Sequence, residues 1–252
     1  MQSIMRALAI LDRLAECDEG LTLTELARSV ALPPSSAHRI LTTLQRHRFV
    51  RFEPATMSWL VGVQAFVVGN AFARSRDVVA LAVPHLRRLM AKTGETANFF
   101  MLDGEEVICM AQVQSQQAIR AISRPGGGVE MHRSAAGKVI LAHMPEAEVD
   151  RLVQGRDLPR YTEHTIVTQE ALLRELDRIR QRGFSVDNEE FALGLRCIAA
   201  PVFDENGAVH AAISLAGPAV RITTNRVDAL GELVTLCSKT VTAETGGRHD
   251  GR

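Results

Sequence analysis

Leu32-Pro33-Pro34-Ser35-Ser36-Ala37-His38-Arg39-Ile40-Leu41-Thr42-Thr43-Leu44-Gln45-Arg46 is the stretch on which the reading of this chain turns. Proline disfavours helical geometry in the residue before it, so any helix upstream must stop near Leu32. Beyond the proline pair, Ala37, Ile40, Leu41 and Leu44 recur as the i, i+3, i+4, i+7 stripe of a helix buried on one side, with Ser35 placed to cap it. The other face offers Ser35, Ser36, His38, Arg39, Thr42, Thr43 and Arg46. Short hydroxyls approach phosphates closely, and arginine reaches phosphate or the guanine edge. Residues 27–52 hold five arginines and no Asp or Glu, a local charge of +5.

Upstream, Ile4, Leu8, Leu11 and Ala15 mark a first amphipathic helix. Thr22-Leu23-Thr24-Glu25 has capping-box spacing and opens a second helix, with Thr24 in its first turn. Downstream, Phe49-Val50-Arg51-Phe52 alternates as a strand, Glu53-Pro54-Ala55-Thr56 turns, and Trp59-Leu60-Val61 returns, which makes a wing. Residues 1–62 are therefore expected to be a winged helix–turn–helix. Its contacts to double-stranded DNA would come from Thr24, Ser35, Ser36, His38, Arg39, Thr42, Thr43, Arg46 and Arg51. The competing reading is a three-helix bundle whose arginines are merely solvated.

The whole chain of 252 residues is electrically balanced, 29 basic against 29 acidic, so global charge says nothing about partners. Only Lys92, Lys138 and Lys239 are lysines; the other basic residues are arginine, which favours bidentate pairing to phosphate or carboxylate. The four cysteines, at 17, 109, 197 and 237, are too far apart in sequence to suggest a disulfide lattice or a zinc site, and neither metal nor cofactor is expected. The N-terminus has no signal-peptide pattern, and the uncharged stretch 54–73 is broken by Pro54, Thr56, Ser58, Gln64 and Asn70. A cytoplasmic protein without a membrane span is expected.

Residues 63–76, with Val63, Phe66, Val67, Ala71 and Phe72, read as a linker helix that dimerises two heads. From 77 to 247 helices alternate with strands: a helix over 78–91, a strand pair at Asp103-Gly104, a strand over 118–123, a glycine loop at 126–128, and helices from 135, over 146–153 and over 169–182. Further on come a hairpin over 198–213 turning at Asn206-Gly207, a type I′ signal, and a last helix over 224–242. This order argues an α+β fold, an antiparallel sheet flanked by helices, serving as an effector-binding domain. Residues 248–252 are expected to be a disordered tail. No phosphate-loop spacing accompanies the glycines, but Ser134-Ala135-Ala136-Gly137 can start a helix with free amides open to an anion. Close packing of small residues explains the same stretch equally well.

QSIMRALAILDRLAE, LPPSSAHRIL, HRSAAGKVIL and VDNEE followed by GLRCIAAPVFD resemble successive stretches of IclR-type transcriptional regulators, nearly end to end. The resemblance implies a dimeric or tetrameric regulator, more often a repressor, with a GAF-like sensor domain switched by a small carboxylate. It assigns the ligand's carboxylate to the amides of Ala135 and Ala136 and the side chains of Asp187, Cys197 and Ser214. VDNEEFALGLRCIA is most similar to the glyoxylate-sensing allantoin-pathway repressors of the family, which points to glyoxylate or pyruvate. Three departures stand out: Met57-Ser58 replaces a glycine and a basic residue at the wing tip, Ala216 a second serine, and Ala135 a glycine. The last two make the pocket less polar, and Ala118 and Ala121 would leave room for a larger acid. Two other functions compete: an enzyme using Cys197 as nucleophile with Arg196 and His132 beside it, and a constitutive DNA binder with no effector.

Overall fold

The computed structural model describes residues 2–74 and 77–248, with side chains for 3–69 and 78–248. It divides into two compact units, Met1–Arg76 and Asp77–Arg252. In the first, α1 (Gln2–Ala15), α2 (Leu23–Ser29) and α3 (Pro34–Arg46) pack beside a three-stranded sheet of order β1-β3-β2, built from Leu21–Thr22, Ser58–Val61 and Val50–Glu53. Ile10, Leu14, Leu26, Leu41, Val50 and Trp59 form its core. The capping box forms as read: the Glu25 amide donates to Thr22 Oγ1 at 3.4 Å, and the Thr22 amide donates to Glu25 Oε2 at 2.9 Å.

Ser35 is not the cap of α3. The helix begins at Pro34, with Pro33 as its cap and no side-chain cap bond. Proline at the first helical position has no amide to satisfy and a φ already set for the helix. The wing is the β2–β3 hairpin, in register Glu53↔Ser58 and Phe52↔Trp59. At its tip Met57 adopts φ +54°, the left-handed region that glycine enters freely. α4 (Val63–Arg74) follows; residues 75 and 76, and the side chains of Ala71 and Phe72, lie outside what the structure describes.

The second unit is a six-stranded antiparallel sheet of order β6-β5-β4-β9-β8-β7. Its strands are β4 (Thr96–Asp103), β5 (Glu106–Val113), β6 (Gly128–Glu130), β7 (Ser185–Asn188), β8 (Leu195–Phe203) and β9 (Val209–Pro218). One face is covered by α5 (Asp77–Thr93) and α9 (Val227–Glu244), the other by α6 (Ala135–His143), α7 (Glu146–Val153) and α8 (Gln169–Arg182). Alternation along β8 divides the cores: Ile198, Ala200 and Val202 join the α5/α9 side, Cys197, Ala199 and Phe203 the α6 side.

Three expectations for this unit need correction. Residues 118–123 are not a strand; their backbone is held by side chains, the Thr96 hydroxyl donating to the Ala121 carbonyl at 2.9 Å while accepting the Ser115 amide at 3.1 Å. The hairpin at Asn206-Gly207 is no type I′ turn, which needs positive φ at both residues; only Gly207 has it, at +77°. Asp204 closes a longer loop instead, its carboxylate accepting the Asn206 and Ala208 amides at 2.9 Å each. The last helix starts at Val227, after a 3-10 turn at Thr224–Arg226. Of the expected tail, Arg248 donates its amide to the Asp204 carbonyl at 3.0 Å, and 249–252 lie outside the described residues.

Met57 is exposed and makes its left-handed turn with a side chain that gains little from burial. Met57→Gly should raise stability by about 1 kcal/mol by removing the steric cost of that region, measured by chemical denaturation followed at Trp59.

Candidate functional site

On the first unit, α3 turns its stripe of Ala37 and Leu41 inward and its polar face out. Thr24, Ser35, His38, Arg39, Thr43, Arg46 and Arg51 are exposed, and Ser36 and Thr42 are half-buried. Their hydrogen-bonding states differ. The Thr42 and Thr43 hydroxyls donate to the His38 and Arg39 carbonyls at 2.8 and 3.0 Å, which leaves them acceptors toward anything outside. Pro33 is the cap of α3 and makes no side-chain cap bond, so the Ser35 and Ser36 hydroxyl oxygens are not engaged in capping and their protons can be donated outward. Arg51 faces Glu53 at 3.1 Å, so part of its charge is spent within the wing, and His38 sits edge-on to Trp59 with ring centres 6.4 Å apart.

In the second unit the five expected ligand positions, Ala135, Ala136, Asp187, Cys197 and Ser214, line one cavity of about 280 Å³. They arrive on four elements. Ala135 and Ala136 open α6; the Ser134 hydroxyl caps the Gly137 amide at 2.9 Å, and the amides of the first two residues have no carbonyl behind them in the helix. Gly137 is required because a Cβ there would meet the Met131 backbone at 2.3 Å, the close approach that fixes where α6 begins. Asp187 and Cys197 are cross-strand partners on β7 and β8, and Ser214 pairs with Asn98 across β9 and β4.

Asn98 escaped the sequence reading. Its amide donates to Ser214 Oγ at 3.3 Å and its carbonyl accepts from Gln112 at 2.9 Å, a buried polar row across β9, β4 and β5. Lys138 and Glu190 were also missed as a pair. Lys138 is fully buried and donates to the Val186 carbonyl at 2.8 Å and to the Glu190 carboxylate. The one available signal was that a chain so poor in lysine keeps one just inside α6. The rest of the cavity wall is mostly apolar, with Phe100, Ile122, Val129, Phe191, Leu195 and Ala216, but Ser123, Ser134 and the guanidinium-bearing Arg124 also line it; Ala121 does so too, whereas Ala118 does not.

Burial pushes the Asp187 carboxyl up to about 6, with Glu190 adding to the rise and Lys138 opposing it; Asp187 Oδ1 meanwhile accepts the Glu190 amide at 2.7 Å and the Phe191 amide at 3.2 Å. Burial first, and Asp187 beside it second, push the Cys197 thiol well above its ordinary value. The thiol is therefore a proton donor to Asp187, not a thiolate nucleophile. The catalytic grouping considered for Cys197 is not assembled. Arg196 points to the opposite face of β8, where it donates to Asn188 at 2.8 Å, and His132 lines a different cavity and bonds the Pro159 carbonyl at 3.2 Å. Among the described residues no cluster of His, Cys, Asp and Glu could hold a metal ion, and no helix is long and apolar enough to cross a membrane.

A winged helix–turn–helix on the same chain as an antiparallel α+β domain places the protein in the class of helix–turn–helix transcriptional regulators that carry a second domain. Within that class the chain belongs to the IclR family: the IclR helix-turn-helix domain matches residues 3–54, and the bacterial transcriptional regulator IclR C-terminal domain matches residues 70–243. Transcriptional repressor IclR of Escherichia coli is 43% identical over 249 residues, 98% of this chain and 91% of that protein. HTH-type transcriptional repressor AllR of Salmonella typhi is 36% identical over 245 residues, 97% and 90% of the two chains. Among solved structures, an IclR homolog from Microbacterium hydrocarbonoxydans complexed with 4-hydroxybenzoate superposes with a TM-score of 0.79 at 25% identity, covering 95% of this chain and 98% of that one. These relatives are regulators, not enzymes.

The raised Asp187 value has a consequence for stability. The folded chain holds this proton more tightly than the unfolded chain, so its contribution is full below about pH 4 and is lost as pH rises through about 6. Asp187→Asn removes the titration. Relative to the parent, its unfolding free energy should improve by about 3 kcal/mol between pH 4 and pH 8, measured by denaturant titration of both proteins at each pH.

Proposed function

We propose that the protein is a ligand-responsive repressor that binds operator DNA as a dimer or tetramer and is switched by a small carboxylate held in the cavity of its second unit. The observation that carries this reading is the convergence of two helix-start amides, Asp187, Cys197, Ser214 and Asn98 on one cavity. The amides and the positive end of the α6 dipole suit a carboxylate. Ser214 and the Cys197 thiol supply neutral groups beside it, and Asp187 is protonated readily enough to donate as well. Glyoxylate and pyruvate fit the polar end. A two-carbon acid leaves the wall of Phe100, Ile122, Phe191 and Leu195 without a partner, so acids with an apolar body gain further burial there. The solved relative carrying 4-hydroxybenzoate supports that wider range.

Dimerisation is supported by α4, which exposes Val63, Phe66, Val67 and Val68, and by α1 of the same unit, which exposes Ile4, Met5 and Leu8. Two heads would then meet two operator half-sites. Effector and operator are linked reciprocally: an acid that loosens DNA must itself bind more weakly to the DNA complex.

The test is thermal denaturation of the full chain with glyoxylate, pyruvate, and longer aliphatic and aromatic carboxylates. At least one acid should raise the melting temperature, and Ala135→Pro should abolish that rise without unfolding the protein. Proline removes the first amide of α6 at a position where the preceding residue, Ser134, already has ψ 145°. An anion beside Asp187 raises its pKa further, so binding takes up a proton. Affinity should fall as pH rises from about 6 to 8, by up to tenfold per unit. If no acid shifts the melting of the folded protein, the cavity is not a carboxylate site.

A further inference from the structure

The nine residues expected at the DNA interface do not share one environment. Ser36, Arg39 and Thr43 turn toward α1, where they meet Ser3, Arg6 and Ala7 across a groove of about 410 Å³ floored by Ile40 and Leu44. Two guanidinium groups and three hydroxyls line it, with no carboxylate. The groove on the wing side of the same unit has the opposite character: Glu19, Glu25 and Glu53 line it with Arg51, and Arg51 is paired to Glu53. A phosphodiester is attracted to the first groove and repelled by the second.

We propose that the α1–α3 groove is a phosphate-binding site of the DNA interface, with Arg6 and Ser3 completing it from outside the helix–turn–helix. Arg6 and Arg39 each neutralise one of two adjacent backbone phosphates, while Ser36 donates its hydroxyl. Ser35, Thr42 and Arg46, on the outer face of α3, are left to the base edges. The wing, which has lost its tip glycine and basic residue, is replaced as the backbone anchor by α1. This rests on the operator-binding reading and adds a residue that the helix–turn–helix pattern does not contain.

Phosphate contacts are independent of sequence, so the probe is a random-sequence duplex of about 40 base pairs. Its affinity for the full-length protein is measured from about 50 to 200 mM NaCl. Each phosphate neutralised contributes about 0.9 to the slope of log affinity against log salt. Arg6→Ala should lower that slope by about 0.9 per bound protomer. Its affinity would then fall roughly 3.5-fold less per protomer across this salt range than the parent's. Arg6→Lys should keep the parent slope, since the charge remains. Arg13→Ala, on the same helix but paired to Glu16, serves as the control that should change nothing. A parent-like slope and affinity in Arg6→Ala, with Arg39→Ala impaired, overturns the α1–α3 site. A parent protein that fails to bind the duplex at the lowest salt overturns the operator reading and this site with it.

Discussion

Lys138 places its ammonium group between the Val186 carbonyl and the Glu190 carboxylate with no exposure to solvent. That contact joins the two halves of the cavity. Lys138 belongs to α6, whose first amides face the cavity; Val186 and Glu190 flank Asp187 at the edge of the sheet. Losing one partner of a buried pair leaves the other charge unpaired, at a cost of about 3–5 kcal/mol. Among the described residues Glu190 Oε2 has no hydrogen-bond partner, so the network tolerates little further loss. The local charge also matters. Lys138 stands behind Asp187 and Glu190, Arg124 lines the cavity, and a ligand carboxylate would be a third negative group. Uptake of a proton by Asp187, whose pKa is about 6, eases that arrangement.

The space for a ligand arises from small residues on one face of the sheet. Ala199, Ala212 and Ala216 lie on β8 and β9 where larger side chains would fill the α6 side, while Ile198, Ile213 and Leu215 fill the α5/α9 side. The sheet thus has one close-packed face and one that is packed over α7 and α8 but open near the start of α6. The loop over 121–129 closes that opening, pinned where Thr96 holds the Ala121 carbonyl. Thr96 is cross-strand to Ala216, so a single register sets both the cavity wall and the anchor of its cover.

Local patterns were the legible part of the sequence. The Thr22 capping box, the helices Glu146–Val153 and Gln169–Arg182, and the start of α6 at Ala135 follow from periodicity and caps over a few residues. Readings that depended on long-range partners failed. Residues 118–123 alternate like a strand, but their backbone is held by Thr96 and not by a neighbouring strand. Asn206-Gly207 signals a tight turn, but the Asp204 carboxylate offers a better closure one residue wider. Ser35 resembled a cap only because Pro34 was counted outside the helix. The five positions carried by the motifs line one cavity, whereas Asn98, recruited to it by register, and the buried Lys138–Glu190 pair behind it were not foreseen.

The same distinction separates the chain's two candidate binding surfaces. Behind the cavity the chain balances buried charge with a lysine, a point charge that one carboxylate and one carbonyl can satisfy. At the exposed head it uses only arginine, whose planar fork can meet phosphate oxygens in pairs while its stem stays along the helix. α3 begins at Pro34 with Pro33 as its cap and no side-chain cap bond, and the hydroxyls of Ser35 and Ser36 can donate outward. Thr42 and Thr43, by contrast, have given their protons to the helix. Donors on α3 are therefore concentrated in its first turn and in Arg39 and Arg46, and the acceptors lie between them. That spacing suits a helix entering a groove by its N-terminal end, where phosphate and base edges are met in turn.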